Sequence, residues 1–208
     1  MQQLPTKLKD YFLKDINPII RFLIISDTIL IGAAGLLGPI FAIFIEEFIQ
    51  GGNETIAGTA AGIYLFSRSI LQIPIARLID TIRGERDDFW FMFIFTFFVA
   101  IIPLFYLVIS TPIQLYIIQF VLGLCTAFTF PAYMAIFTRH IDKGKEGTEW
   151  GIYFTLTDLA GAVLAIVGGY VAVSVGFPVL IIACTTLSLI GALLLGPIKP
   201  YIKTASSN

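Results

Sequence analysis

The chain has 208 residues, 57% of them hydrophobic and 13% charged, with a formal net charge of −1 and a mean hydropathy of +0.90. That balance excludes a soluble domain and offers no basic surface for nucleic acid. A single histidine, His140, and two cysteines inside apolar stretches, Cys125 and Cys184, make no metal-ligand spacing, disulfide framework or nucleophile–base set, so neither an enzyme nor a cofactor site is expected.

The opening residues 1–17 are polar and set Leu8, Phe12 and Ile16 four apart among lysines and aspartates. The pattern predicts a short helix lying on a membrane surface, and a frayed polar tail fits it equally. No cleavable leader is expected. Six apolar stretches follow, at residues 19–45, 57–79, 89–110, 113–137, 149–175 and 178–198. Each approaches or exceeds the ~20 residues that a helix needs to cross ~30 Å of hydrocarbon. An all-α membrane domain is predicted over 18–200, closed by a short polar tail, 201–208. Lys7, Lys9, Lys14 and Arg21 lead into the first stretch, and Arg77, Arg83 and Arg86 end or follow the second. Arg139, Lys143 and Lys145 follow the fourth stretch, and Lys199 and Lys203 the sixth. The connections on the other side, 46–56, 111–112 and 176–177, hold no Lys or Arg. The positive-inside rule then predicts a multi-pass protein of the cell (inner) membrane with both termini cytoplasmic.

Within the stretches the polar residues concentrate in the first, second, fourth and fifth. Asp27 lies in the first, and Tyr64, Arg68 and Gln72 stand four apart on one face of the second. The third and sixth are uncharged, which suits a lipid-facing position. In the fourth, Gln119, Gly123, Thr126, Phe130 and Tyr133 recur at steps of four and three and share a face. The fifth carries Asp158 and a small-residue stripe, Gly161, Ala165 and Gly169, which predicts close helix packing. Counted at 1.5 Å per residue, Arg68 falls ~17 Å from the outer end of its stretch and Asp158 ~14 Å from the inner end of its own. A charge at that depth costs ~2.5–3.5 kcal/mol on insertion scales, so it requires a partner, water or a function. Asp27 and Asp158 are therefore candidates for proton or cation coupling, and Arg68 for charge balance or for an anionic group. Tyr64, Gln72, Gln119, Thr126 and Tyr133 are the candidate solute contacts. The competing reading has Arg68 neutralise Asp27 or Asp158 inside the bundle.

An internal repeat accompanies this pattern. Gly58-Thr59-Ala60-Ala61-Gly62-Ile63-Tyr64 opens the second stretch, and Gly147-Thr148-Glu149-Trp150-Gly151-Ile152-Tyr153 opens the fifth. Ala42-Ile43-Phe44 and Ala135-Ile136-Phe137 likewise end the first and fourth, each shortly after a proline, Pro39 or Pro131. Both matches pair a stretch with the third one after it. Three is odd, so the two copies sit upside down, which predicts a 3+3 inverted repeat of transmembrane helices.

The six stretches together resemble the N-terminal half of a major facilitator superfamily transporter. The most specific part is Ala76-Arg77-Leu78-Ile79-Asp80-Thr81-Ile82-Arg83-Gly84-Glu85-Arg86. It is similar to the family's Gly-x-x-x-Asp-(Arg/Lys)-x-Gly-(Arg/Lys)-(Arg/Lys) loop, with Asp80 in register, Ala76 in place of the first glycine, and Gly84 and Arg86 displaced. Gln119-Phe120-Val121-Leu122-Gly123 resembles an Arg-x-x-x-Gly element with glutamine for the arginine, so coupling is not implied at that position. Gly168-Gly169 lacks the Gly-Pro of the antiporter signature, so export by antiport is not implied. The resemblance implies that the first and fourth helices line a central cavity, the second and fifth join two halves, and the third and sixth face lipid.

The expectation is a secondary active transporter of a small solute, working by alternating access and coupled to a proton or another cation as symporter or antiporter. Organic cations, drugs, sugars and amino acids all fit an aromatic, weakly polar wall. Two half-size units are expected to form a parallel homodimer in membrane lipid, because one half alone would present its polar wall to hydrocarbon. Gating is expected at Asp80, Arg83 and Arg86, with Asp80 reaching the start of the partner's fifth helix, capped by Thr148. The alternatives are a non-transporting membrane subunit or docking partner in a heteromer, and a lipid-handling groove protein.

Overall fold

The computed structural model describes residues 16–82 and 84–202, and all regular structure among them is helical. The predicted surface segment, apart from its last two residues, lies outside the described residues, as do Arg83 and most of the polar tail. Helix α1, Pro18–Leu37, starts at a proline whose missing N–H would have had no intrahelical partner, and Asn17 caps it by accepting the Ile19 amide at 2.9 Å. Gly38 and Pro39 interrupt it as a 3-10 turn, Gly38–Ile40, before α2, Phe41–Phe48, completes the segment. Helix α3, Glu54–Thr81, is capped by Asn53, which accepts the Ile56 amide at 3.0 Å. Helix α4, Arg86–Ile101, tightens into a 3-10 turn, Ile102–Leu107, around Pro103. Helix α5, Pro112–His140, begins with a capping box in which Thr111 and Gln114 each accept the other's backbone amide. Helix α6, Glu146–Ser174, reaches α7, Phe177–Leu193, through Gly176, whose φ of +100° favours glycine. A 3-10 turn, Gly196–Tyr201, follows α7.

Five segments are long and apolar enough to cross a membrane: Pro18–Phe48, Arg86–Leu107, Pro112–His140, Glu146–Ser174 and Phe177–Tyr201. Helix α3 has 28 residues but falls short in apolarity, because Arg68, Gln72, Arg77 and Asp80 sit among its hydroxyl and small residues. Each helix starts before the apolar limit read from the sequence, since capping residues and polar first turns precede its hydrocarbon-compatible part.

Helix α1 packs along α6 and against α7, while α5 packs along α3 and against α4, and α4 meets α7. The helices thus follow the spatial order α3, α5, α4, α7, α1, α6, with α3 and α6 at the ends of the arc. Glycine lets the long pairs close up. A Cβ on Gly35 would stand 2.7 Å from the Gly161 carbonyl oxygen, and one on Gly123 would collide with Ser67 and the Tyr64 carbonyl. Of the predicted stripe, Gly161 makes this contact but Gly169 does not, its Cβ position having no neighbour within 4 Å. Gly168 packs against Leu36 instead, because seven residues come closer than eight to two full turns from Gly161.

The apolar core is split between the two ends of the bundle. One cluster joins Ile20, Leu23, Ile79, Met92, Ile136 and Phe137, and the other joins Leu36, Phe44, Leu115, Leu180 and Ile181. The starts of α1, α4 and α6 and the ends of α3, α5 and the last 3-10 turn lie at the first end, where Asn17 Nδ2 donates to the His140 carbonyl at 3.2 Å. At the opposite end the Gln50 amide donates to the Ser110 carbonyl at 2.8 Å. The ionisable residues of the spans lie between the two clusters. Helices α3 and α6 are the least covered, with burial in α6 confined to Glu149, Ile152, Tyr153, Thr157 and Gly168.

Candidate functional site

On the α1–α6 wall, Ser26 fixes the rotation of α1 by donating its hydroxyl to the Gly191 carbonyl of α7 at 2.7 Å. The next residue, Asp27, therefore points toward α6 and accepts the Tyr153 hydroxyl at 2.6 Å. This short bond to a carboxylate is of the charge-assisted kind, worth about 1.5–3 kcal/mol when the carboxylate is ionised. Tyr133 of α5 brings its ring to 6.1 Å from that of Tyr153, and its buried hydroxyl has no hydrogen-bond partner among the described residues. Phe137 and Trp150 close the aromatic cluster, with ring centroids 5.7 and 5.6 Å from Tyr153. Asp158, one turn beyond Tyr153 in α6, is exposed and makes no hydrogen bond or ion pair with the described residues.

On the α3–α5 wall, the Arg68 guanidinium stands over the Phe130 ring at 4.9 Å and donates to the Tyr64 hydroxyl at 3.4 Å. It pairs with neither Asp27 nor Asp158, contrary to the neutralisation reading. Those carboxylates belong to α1 and α6, a pair packed on the other side of α5. Below Arg68 toward the basic end, a groove of about 480 Å³ runs between α3 and α5, lined by Gln72, Asp80, Phe130, Met134, Thr138 and Arg139 among others. Gln72 and Asp80, predicted for different roles, thus share one groove.

The predicted common face of α5 divides among several neighbours. Gln119 is buried and donates to the Tyr106 hydroxyl at 3.2 Å, Gly123 packs on α3, and the half-buried Thr126 donates to its own helix at Leu122. Phe130 lies under Arg68 and Tyr133 lies beside Tyr153, the partner of Asp27, so the two walls come within one turn of α5.

The basic end is organised by ion pairs. Arg139 pairs with Asp88, which has no exposed surface, and His140 Nε2 lies 3.5 Å from Glu85. Lys145 reaches Asp142 at 3.3 Å, and the Asp142 amide donates to the buried Glu149 at 3.3 Å. These contacts tie the starts of α4 and α6 to the end of α5. Asp80, Arg86 and Thr148 are exposed. Thr148 is not the cap of its helix, as the sequence suggested. Lys145 holds that position, with no capping bond from its side chain to the helix, and Glu146 extends the helix by a polar first turn that its dipole favours.

Tyr153, the partner of Asp27, entered the sequence reading only as the last residue of a repeat. That repeat carried the signal, since it aligns Tyr64 with Tyr153, and these two hydroxyls hold Arg68 and Asp27. The Major Facilitator Superfamily profile matches residues 23–207. The chain belongs to this superfamily. An uncharacterized MFS-type transporter of Methanocaldococcus jannaschii is 26% identical over 160 residues, covering 77% of this chain and 40% of that protein. An uncharacterized MFS-type transporter of Bacillus subtilis is 26% identical over 141 residues, covering 67% of this chain and 82% of that protein. The chain therefore spans less than half of the archaeal relative and most of the bacterial one. Its membrane-crossing helices and its superfamily agree.

Proposed function

We propose that this chain is a secondary transporter of a small solute, acting as a parallel homodimer of half-size units by alternating access. The observation that carries the proposal is the set of ionisable residues halfway along the helices, Asp27, Arg68 and Asp158, which the chain does not pair with one another. Such groups in a membrane protein mark a wet, functional path. Helix α3 is the sixth span, covered on its polar side by the second protomer. The packing pattern supports a 3+3 inverted repeat. Exchanging each span with the third one after it turns the α1–α6 and α1–α7 contacts into α5–α3 and α5–α4, and maps α4–α7 onto itself.

In this mechanism Asp27 is the coupling carboxylate. Tyr153 supports its ionised form, and the unpartnered Tyr133 hydroxyl offers a bond to an incoming solute. Arg68 and Asp158 set the charge where the protomers meet. The groove beside Asp80 is the cytoplasmic mouth, with the basic end inside as the lysine and arginine distribution requires.

Uptake into vesicles containing this chain alone tests the reading. With an imposed pH gradient, a screen of organic cations, sugars and amino acids should find a solute that accumulates against its gradient. Asp27→Asn should abolish accumulation while retaining downhill exchange. Uphill accumulation that survives in the variant at every pH would remove Asp27 from coupling. A monomeric mass of 22.9 kDa in nanodiscs with no uptake would favour a subunit that docks on a different protein.

A further inference from the structure

The groove between α3 and α5 is built in matching layers from its outer end inward. Asp80 stands one residue before Thr81, the last of α3, and Arg139 stands one residue before His140, the last of α5. Both helices end at the basic end of the bundle, so one wall brings a carboxylate and the other a guanidinium to the same opening. One turn further in, each wall carries an alanine, Ala76 behind Asp80 and Ala135 behind Arg139, and these small side chains leave the space open. Deeper still the lining turns apolar with Phe130 and Met134, and Gln72 is the polar group opposite them.

The two charges at the opening do not neutralise each other. Asp80 is exposed and makes no hydrogen bond or ion pair with the described residues. Arg139 commits Nη1 to Asp88, which is buried behind it, and keeps 38% of its side chain exposed. A guanidinium carries five N–H donors in a planar fork, so donors remain for the groove. A simple cation drawn to Asp80 would meet the Arg139 charge, and a simple anion drawn to Arg139 would meet that of Asp80. A solute with an ammonium and a carboxylate on one carbon satisfies both walls at once. Its side chain then passes the two alanines and lies on Phe130 and Met134. The volume of about 480 Å³ falls within the roughly 300–1,000 Å³ usual for small-molecule sites.

We infer that this groove binds an α-amino acid with an apolar side chain, its ammonium on Asp80 and its carboxylate on Arg139. Charge at the opening selects the amphoteric end of the solute, and the apolar depth selects its side chain. The inference rests on the transporter reading for the groove being the cytoplasmic mouth, and adds the class of solute that occupies it.

The test is equilibrium binding to the full chain in nanodiscs. The probes are leucine, methionine and phenylalanine, together with isoamylamine and isocaproate, which are leucine without its carboxylate and without its ammonium. Leucine should bind about tenfold or more tighter than either analogue. Asp80→Asn should raise the leucine dissociation constant about tenfold and leave that of isocaproate unchanged or lower. Arg139→Lys, which keeps a cation on Asp88, should weaken leucine and isocaproate about fivefold and leave isoamylamine unaffected. Equal affinity for leucine and either analogue would overturn recognition by the two charges. Leucine selectivity that survives Asp80→Asn would overturn the assignment to this groove. Uptake of a sugar or an organic cation, with no binding of the amino acids, would overturn the inference and leave the transporter reading standing. Binding with the expected dependence on both charges, in vesicles that take up none of the solutes screened, would uphold the inference and sink the transporter reading.

Discussion

At the basic end of the bundle several ionisable residues meet one another, whereas Asp27, Arg68 and Asp158, halfway along the helices, have no charged partner among the described residues. At the basic end Arg139 meets Asp88, His140 meets Glu85 and Lys145 meets Asp142. Halfway along, Asp27 has a tyrosine hydroxyl, Arg68 has a ring and a tyrosine hydroxyl, and Asp158 has no hydrogen-bonding partner among the described residues. The same chain therefore pairs ionisable groups where they serve to fasten helices and leaves them unpaired where hydrocarbon makes that most expensive. Burial alone does not explain the difference.

The largest effect is expected where the comparison is broken at its paired side. Arg139→Ala leaves Asp88 buried without its cation and should lower stability by about 3 kcal/mol, the low end for a broken buried pair because Arg139 reaches solvent. Thermal unfolding in mild detergent measures it, and an unchanged midpoint would mean that the pair does not fasten α4 to α5. Gly123→Val should follow at about 2–3 kcal/mol, since the added methyls meet Ser67 and the α3 backbone. The same scan should show it losing more than Gly169→Ala, whose Cβ points into open space. Tyr153→Phe removes the side-chain hydrogen bond that Asp27 accepts from Tyr153 and should cost about 1–2 kcal/mol. A cost near zero in that variant would show that this bond does not fasten α1 to α6. Asp158→Asn should change the stability of the single chain by less than about 0.5 kcal/mol, because no contact within it is lost. A larger loss in the monomer would place Asp158 among the fastening charges and erase the contrast.

The legible part of the fold followed from composition along the chain. Apolar stretches of sufficient length, punctuated by Pro39, Pro112 and Gly176, mark out the spans because hydrocarbon leaves the backbone few alternatives to a helix. The two tyrosine-ended repeats were also readable, as was the list of ionisable residues inside the spans. Helix starts were less so. Thr148 looked like a cap because it precedes an apolar run, but Glu146 and Glu149 are compatible with a first turn that extends the helix past that point. The face of α5 misled for a related reason. A shared face fixes direction from one helix axis, yet Gln119, Gly123 and Tyr133 meet different neighbours, in the 3-10 turn after α4, in α3 and in α6.

The sequence by itself determined that the chain belongs in a membrane, where its helices fall, which end is basic, and that charges occur far from either end. These depend on length, hydropathy and local pattern, which act along the chain. Only the tertiary structure decided which charges are partnered. Asp27 meets Tyr153 across 126 positions and Arg139 meets Asp88 across 51. Such pairs depend on the rotation of each helix, set by contacts such as Ser26 on Gly191 and Gly35 on Gly161. A few tens of degrees of helix rotation redirect a side chain from one neighbour to the next, and no local pattern records that angle.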